Sequence, residues 1–549
     1  MTLDSTAVWK QSARHPPVAD LARRIFAVLP LMLIASCMVG PNYRTPASKV
    51  ADAWTVESTP AINAGEGFEE YWWKSLDDPV LDRLIEVASG NNLSLQIAGV
   101  RILQARAQLN KAIGNLFPQQ QALSGSVDYT RLGDGTAFLP GFTPNLTTDQ
   151  ILFAATWEMD IWGKYRRGIE SDQAAFISTV ASYDDALVTL ISDVASTYVS
   201  IRTAEQRISV ANTNITNLEE SLRVATARFQ AGETSQRDVQ QAQTVLSQTQ
   251  ASIPQLENSA RQSKNALAVL IGETPDRVDE FLKGSDRIPT APASVTVGIP
   301  RDLLRRRPDV REAGFTAASQ SALIGVAKAT MYPSFSLSGA FGFSSTNEGS
   351  SSLGDLFNWD QRAVKGGASF VFPIFNYGRL VNAVRVQDAQ FQQAVLNYQN
   401  TVLVAQQEVE NGLSAFTTAQ TSLTHLVDAA ASGHQSTELA MAQYKAGETD
   451  YTTVLSAEQS ELSIDDSLAS AQGNVVQGLI AVYRALGGGW EIRNGKDVVS
   501  DEVKSEMAER TNWGDLLEPA QHLPAVSPEA EPNPAAAESP AAGNREPNP

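Results

Sequence analysis

The sequence predicts an α+β chain in which one unit, a membrane-type β-hairpin followed by a very long α-hairpin, is written twice. Three observations predict it: a repeat held at one offset, an apolar period of seven over scores of residues, and four segments of period two. Phe229-Gln-Ala-Gly232-Glu233-Thr234 recurs as Tyr444-Lys-Ala-Gly447-Glu448-Thr449, 215 residues later. The same offset joins Val239 to Val454, Gly272 to Gly487, Phe117-Pro118 to Tyr332-Pro333 and Phe176 to Phe391. A register kept across more than half of the chain marks two copies of one structural unit.

The chain opens with a segment that reads as an address rather than as structure. Arg23-Arg24 precedes the apolar run Ile25–Ile34, which is shorter than the ~20 residues that a spanning helix needs. Small residues follow, so residues 1–36 are expected to be a secretory signal. Ile34-Ala35-Ser36-Cys37 resembles the bacterial lipobox, and Cys37 is the single cysteine of the chain. Its thiol is the expected acylation site, anchoring the mature protein to lipid. Met38, where an aspartate would resemble an inner-membrane retention signal, directs that expectation to the outer membrane.

The first copy is assigned to residues 37–274, with a β-hairpin over 118–160 and an α-hairpin over 166–272. The second occupies 301–490, with a β-hairpin over 333–375 and an α-hairpin over 378–487. Residues 275–300 are the crossover between them. In the strand segments, Ser334-Phe-Ser-Leu-Ser-Gly-Ala-Phe-Gly-Phe-Ser344 alternates small or polar with large apolar residues. Val364, Gly366, Ala368, Phe370 and Phe372 alternate likewise with their neighbours, as do Leu123, Val127 and Tyr129, and Ile151, Phe153, Ala155 and Trp157. Segments of ~10 alternating residues are the signature of transmembrane β-strands, apolar toward lipid and polar toward a lumen. Soluble hairpins packed on a core share the pattern; four such segments in repeat register, behind a lipidation signal, favour the membrane. Four strands cannot close a barrel, because bacterial barrels start at about eight, so several copies must share one wall. Three copies would give twelve strands around one pore.

Beyond each strand pair the period changes to seven: Leu187, Val194, Ile201, Ile208, Ile215, Leu222, Phe229 in the first copy, and Val402, Val409, Phe416, Leu423, Ala430, Thr437, Tyr444 in the second. A heptad sustained so long predicts a supercoiled helix packed on a neighbour. Small residues such as Gly412 and Gly433 lie in the interleaved seam positions and admit close backbone approach. A helix from Arg166 to Ala231 would run roughly 100 Å at about 1.5 Å per residue. After the glycine turns, Val239, Leu246, Ile253, Ala260 and Leu267 continue the first copy; Val454, Leu468, Val475 and Val482 continue the second, with Glu461 interrupting. Residues 491–549 form a C-terminal segment whose end, from about Glu518, is dense in Pro, Ala and Glu and is expected to be disordered.

At this point the residues resemble the outer-membrane factors of tripartite efflux pumps, TolC/OprM-like channels in their NodT-type lipoprotein branch. The resemblance rests on Cys37-Met-Val-Gly-Pro-Asn-Tyr43, Trp72-Trp-Lys-Ser-Leu-Asp-Asp-Pro-Val-Leu81, Arg307-Pro-Asp-Val-Arg311, Ile324-Gly-Val-Ala327 and the Ala-Gly-Glu-Thr turns. It implies a homotrimer with a 12-stranded barrel and a periplasmic α-barrel, docked to a periplasmic adaptor that joins it to an inner-membrane RND transporter. It implies a passive exit duct for drugs or other small molecules across periplasm and outer membrane. Gly232, Glu233, Thr234, Gly447, Glu448 and Thr449 match the helical tips that the family offers to the adaptor. Family channels often ring their periplasmic mouth with aspartates; the matching positions here are Thr453 and Ser456. Asp450 and Asp238 lie nearby and either supply the acidic mouth or are solvated hairpin charges. Trp72 and Trp73 are expected to be packing residues. A type I protein-secretion channel and a non-conducting periplasmic scaffold are the alternative readings.

The remaining chemistry is sparse. A net charge of −19 argues against nucleic acid as a partner. His15, His425, His434 and His522 show no ligand spacing with acidic residues or the cysteine, so no metal site is expected. No phosphate-cradling loop or nucleophile elbow stands out, which predicts neither cofactor nor enzymatic activity.

Overall fold

A computed structural model describes residues 38–55, 62–63, 69–131, 145–298, 300, 306–347 and 353–518. Cys37, the signal over 1–36 and the end of the chain from 519 lie outside the described residues. The elements are β1 (Ile62–Asn63), α1 (Pro79–Asn91), α2 (Leu93–Gly114), β2 (Gln120–Arg131), β3 (Asn145–Met159), α3 (Lys164–Gln230), α4 (Gln236–Ile271), α5 (Val278–Phe281), β4 (Val295–Thr296), α6 (Pro308–Ala329), β5 (Ser334–Thr346), β6 (Arg362–Val371), α7 (Arg379–Ala446), α8 (Tyr451–Ala485) and α9 (Asp501–Arg510), with short 3₁₀ turns between them. The repeat is structural: α6, α7 and α8 each begin 215 residues after α2, α3 and α4. The chain divides into two compact units.

The first unit takes its described residues from Met1–Arg44, Gln108–Gln173 and Ala318–Gln392. Its centre is an antiparallel sheet in the order β2-β3-β5-β6. The register sorts every strand's side chains onto two faces. Leu123, Phe153, Phe341 and Val364 form one row across all four strands, and Trp157 pairs with Leu337 on the same face. Ser126, Gln150 and Ser344 form a row on the other, where Gln150 donates to Ser126 at 2.9 Å. The apolar rings stay exposed in the single chain: Leu123, Val127, Tyr129, Phe153, Phe341, Val364 and Phe370 all face outward. At the base of the sheet, Trp162 stacks on Tyr332 at 4.7 Å and donates to the Pro333 carbonyl at 2.7 Å. Asp160 accepts the Tyr165 and Arg166 amides, satisfying donors that the start of α3 leaves free. Arg167 donates to the Val39 carbonyl and to Asn42 at 2.8 Å, which ties down the segment following Cys37.

The second unit takes its described residues from Thr45–Ala107, Ala174–Ala317 and Gln393–Pro549. Here the heptad residues are the core: Leu187, Val194, Ile201, Leu218, Val402, Val409 and Phe416 are buried. Phe229 departs from the expectation and is exposed, while its repeat counterpart Tyr444 is buried. The seam ends one turn earlier in the first copy than the period suggests. Trp72 and Trp73 are buried, with Trp72 stacked on Tyr483 at 5.2 Å. Asp78 caps α1 through the Val80 and Leu81 amides and accepts the Tyr198 hydroxyl at 2.9 Å. The Arg307-Pro-Asp-Val-Arg311 run is a clasp on the foot of the second hairpin. Arg307 donates to the Ala485 carbonyl at 2.6 Å and to Asp309 and Glu408 at 2.7 Å. Arg311 lies 3.7 Å from the buried Asp184, which also receives Arg493, and both guanidiniums flank the Trp490 ring.

Candidate functional site: the tips of the two α-hairpins

Both helical hairpins turn on a glycine with positive φ, +79° at Gly232 and +80° at Gly447, a backbone state that costs other residues 1–2 kcal/mol or so. The Glu233 amide reaches back to the Arg228 carbonyl, and Glu448 to Gln443, so the two turns share one geometry. Gly232, Glu233, Gly447 and Glu448 are exposed; Thr234 and Thr449 are half-buried. Thr449 donates to Thr453 at 2.9 Å.

The mouth candidates separate. Asp238 is only 4% exposed: it accepts Thr234 Oγ1 and Ser235 Oγ and serves the turn itself. Of the two readings that the sequence left open for it, acidic mouth or solvated hairpin charge, neither matches the buried, turn-bound carboxylate seen here. Asp450 is exposed and caps α8, accepting the Thr453 amide at 3.2 Å. Thr453 and Ser456 lie exposed on the first turns of α8, and Ser456 Oγ bonds the Thr452 carbonyl at 2.9 Å.

Beneath the turns, Val224, Ala225, Ala242, Ala440, Tyr444, Tyr451 and Val454 make one core shared by both hairpins. Sequence reading missed the link that crosses it. The Arg228 guanidinium lies 4.6 Å over the Tyr444 ring and 3.2 Å from the Glu233 carboxylate, joining the first tip to the second hairpin. Tyr451 shares a hydrogen bond with Ser221 and lies 3.3 Å from Glu458. Burial raises the pKa of both the Tyr451 phenol and the Glu458 carboxyl.

One grouping was invisible to local spacing. His434 on α7 meets Glu461 and Asp465 of α8, residues 27 and 31 positions away. The Glu461 that breaks the heptad is there to meet the imidazole of the facing helix. Asp465 bonds Asn214 as well, and burial raises its pKa against the lowering effect of His434. His434, Glu461 and Asn214 border a groove of about 690 Å³ between α3, α7 and α8.

Comparison with known proteins accords with the fold and its repeat. The family model described as "Outer membrane efflux protein" matches twice, over residues 84–273 and 299–488. Nodulation protein T of Rhizobium leguminosarum bv. viciae is 31% identical over 468 residues, covering 84% of this chain and 93% of the relative. The pyoverdine export outer membrane protein OpmQ of Pseudomonas putida is 28% identical over 479 residues, covering 85% and 98%. Among solved structures, the outer-membrane channel OprN superposes with a TM-score of 0.76 at 31% identity, over 83% of this chain and all of that one. A sheet with one apolar and one polar face, the doubled helical hairpins and these relatives lead to one conclusion: the chain belongs to the outer membrane efflux protein family, the outer-membrane channels of efflux pumps.

Proposed function

We propose that three copies of this chain form a passive exit duct for small molecules, coupled through a periplasmic adaptor to an inner-membrane RND transporter. The observation that carries this reading is the sheet of the first unit. Its exposed apolar face suits lipid, and β2 and β6 each have an outer edge without a neighbouring strand among the described residues. Unpaired backbone donors and acceptors are not tolerated in hydrocarbon, so β2 of one protomer pairs with β6 of the next. Three sheets of four strands close a 12-stranded wall with Ser126, Gln150 and Ser344 toward the lumen. Acyl chains on Cys37 add an anchor beside the barrel.

The tips at Gly232-Glu233-Thr234 and Gly447-Glu448-Thr449 dock the adaptor, with the exposed Phe229 as an apolar contact next to them. Asp450 supplies the acidic mouth, flanked by Thr453 and Ser456, while Asp238 keeps the turn folded. No bond is made or broken: the duct is not an enzyme, and energy comes from the inner-membrane partner. Purified full-length protein should be trimeric by native mass spectrometry, carry acyl mass on Cys37 and produce discrete conductance steps in planar bilayers. A monomer that leaves the bilayer sealed would overturn the reading.

A further inference from the structure

We propose that His434, Asp465 and Glu461 form a binding site for a divalent transition-metal cation of the zinc class, joining α7 to α8. The geometry around the imidazole is that of a ligand. His434 Nε2 stands 3.4 Å from Asp465 Oδ1. That is long for a hydrogen bond between nitrogen and oxygen, whose usual range is about 2.7–3.2 Å. It is instead the edge of a tetrahedron whose arms are about 2.1 Å, the length of zinc–nitrogen and zinc–carboxylate bonds. The opposite ring nitrogen, Nδ1, meets the Glu461 carboxylate. A metal-ligating histidine ordinarily gives its second N–H to a carboxylate, which fixes the tautomer and the ring plane. One atom from each of the three residues lies within 4.8 Å of the others.

Placement and charge agree with this assignment. Glu461 and Asp465 are one turn apart on α8 and point at the same side chain of α7, so a bound ion spans the two helices. Their side chains are 12% and 11% exposed, whereas His434 is open to the groove and leaves water access for the remaining coordination positions. Glu458, also buried, adds a third carboxylate on the same stretch of α8. Lys445, the lysine that lines this groove, is engaged with Glu220 at 3.9 Å. A dication answers that excess of negative charge better than one imidazole does. In this arrangement His434 and Asp465 bind the ion directly and Glu461 is a positioning residue. The assignment does not depend on the transport reading.

The test is calorimetric titration of Zn²⁺ into tag-free, detergent-solubilised full-length protein, with Mg²⁺ as the reference ion. One saturable zinc site per chain is expected. His434→Ala and Asp465→Asn should abolish it, and Glu461→Gln should weaken it by about 10–100-fold. His425→Ala, at another exposed histidine, should bind as the parent does. Zinc should also raise the Tm of the parent and leave that of His434→Ala unmoved. Equal zinc binding by His434→Ala and the parent, loss of the site in His425→Ala, or magnesium binding as tight as zinc would each overturn the assignment.

Discussion

A Cβ built on Gly478 of α8 would stand 2.8 Å from the Cα of Phe416 on α7, so the two helices meet backbone to backbone. A few residues away the relationship is reversed, and a Cβ on Gly412 of α7 would lie 3.1 Å from the Cα of Val482. The second hairpin is closed by two small residues, one from each helix.

Leucine at Gly478 or Gly412 must push these backbones apart, because no flexible side-chain end stands in the way to yield. Overpacking of this kind costs about 1–3 kcal/mol. Gly433, placed in the same seam by the heptad, has only ordinary contacts at 3.6 and 3.9 Å, to Ile464 and Glu461. Thermal unfolding should therefore show a lowered Tm for Gly478→Leu and Gly412→Leu, with Gly433→Ala close to the parent. A large loss at Gly433→Ala would contradict this account of the seam.

Phe341 lies in the apolar row with Phe153 and Val364, and Ser338 on the opposite face with Thr156 and Gly367. Arginine on a lipid-facing position near the bilayer midplane costs about 2–4 kcal/mol. Phe341→Arg should reduce the amount of assembled protein in outer-membrane fractions, and Ser338→Arg should assemble normally while changing conductance. Equal assembly of the two variants would mean that the faces are assigned wrongly.

Asp450 combines a helix cap with a charge, and one substitution separates the two roles. Asparagine caps a helix about as well as aspartate, whereas alanine loses about 1 kcal/mol. Asp450→Asn should keep the parent Tm and lose cation preference, read as a shift of the reversal potential across a salt gradient. An unchanged reversal potential would remove Asp450 from the mouth.

Burial pushes the Glu491 carboxyl up to about 7 from its ordinary 4.5, while hydrogen bonds from the Glu491 and Gly489 backbone pull the other way. A group whose folded pKa is raised contributes its stability in full below the unfolded pKa and loses it as pH rises through the folded one. Between pH 4.5 and about 7 the unfolded chain releases this proton first, so stability falls with rising pH. Glu491→Gln should match the parent near pH 4 and unfold at a higher temperature at pH 8. The same Tm difference at both values would show that the carboxyl does not titrate in this window.

Much of the architecture was legible because it is periodic. The period of seven over Leu187–Phe229 and Val402–Tyr444, and of two over residues such as 334–344, follows from which side of a helix or strand must meet an apolar neighbour. That constraint is local, and the 215-residue repeat doubled each signal. The turns at Gly232 and Gly447 were equally readable, because the chain reverses there on residues suited to positive φ.

What stayed hidden depends on partners far apart in sequence. The sequence left Asp238 and Asp450 with the same two readings, the acidic mouth that the family resemblance implies or a solvated hairpin charge; folding buried one under Thr234 and Ser235 and left the other on the surface. Glu461 looked like a flaw in a heptad until the hairpin brought His434 against it. Phe229 and Tyr444 occupy matching positions of the repeat, yet only Tyr444 reaches the shared core beneath the tips. Periodicity by itself determined the elements, their length and their doubling, since these arise from the burial of one face. Which equivalent residue is covered, capped or paired was decided by tertiary structure alone, because contact free energies depend on neighbours that no local window contains.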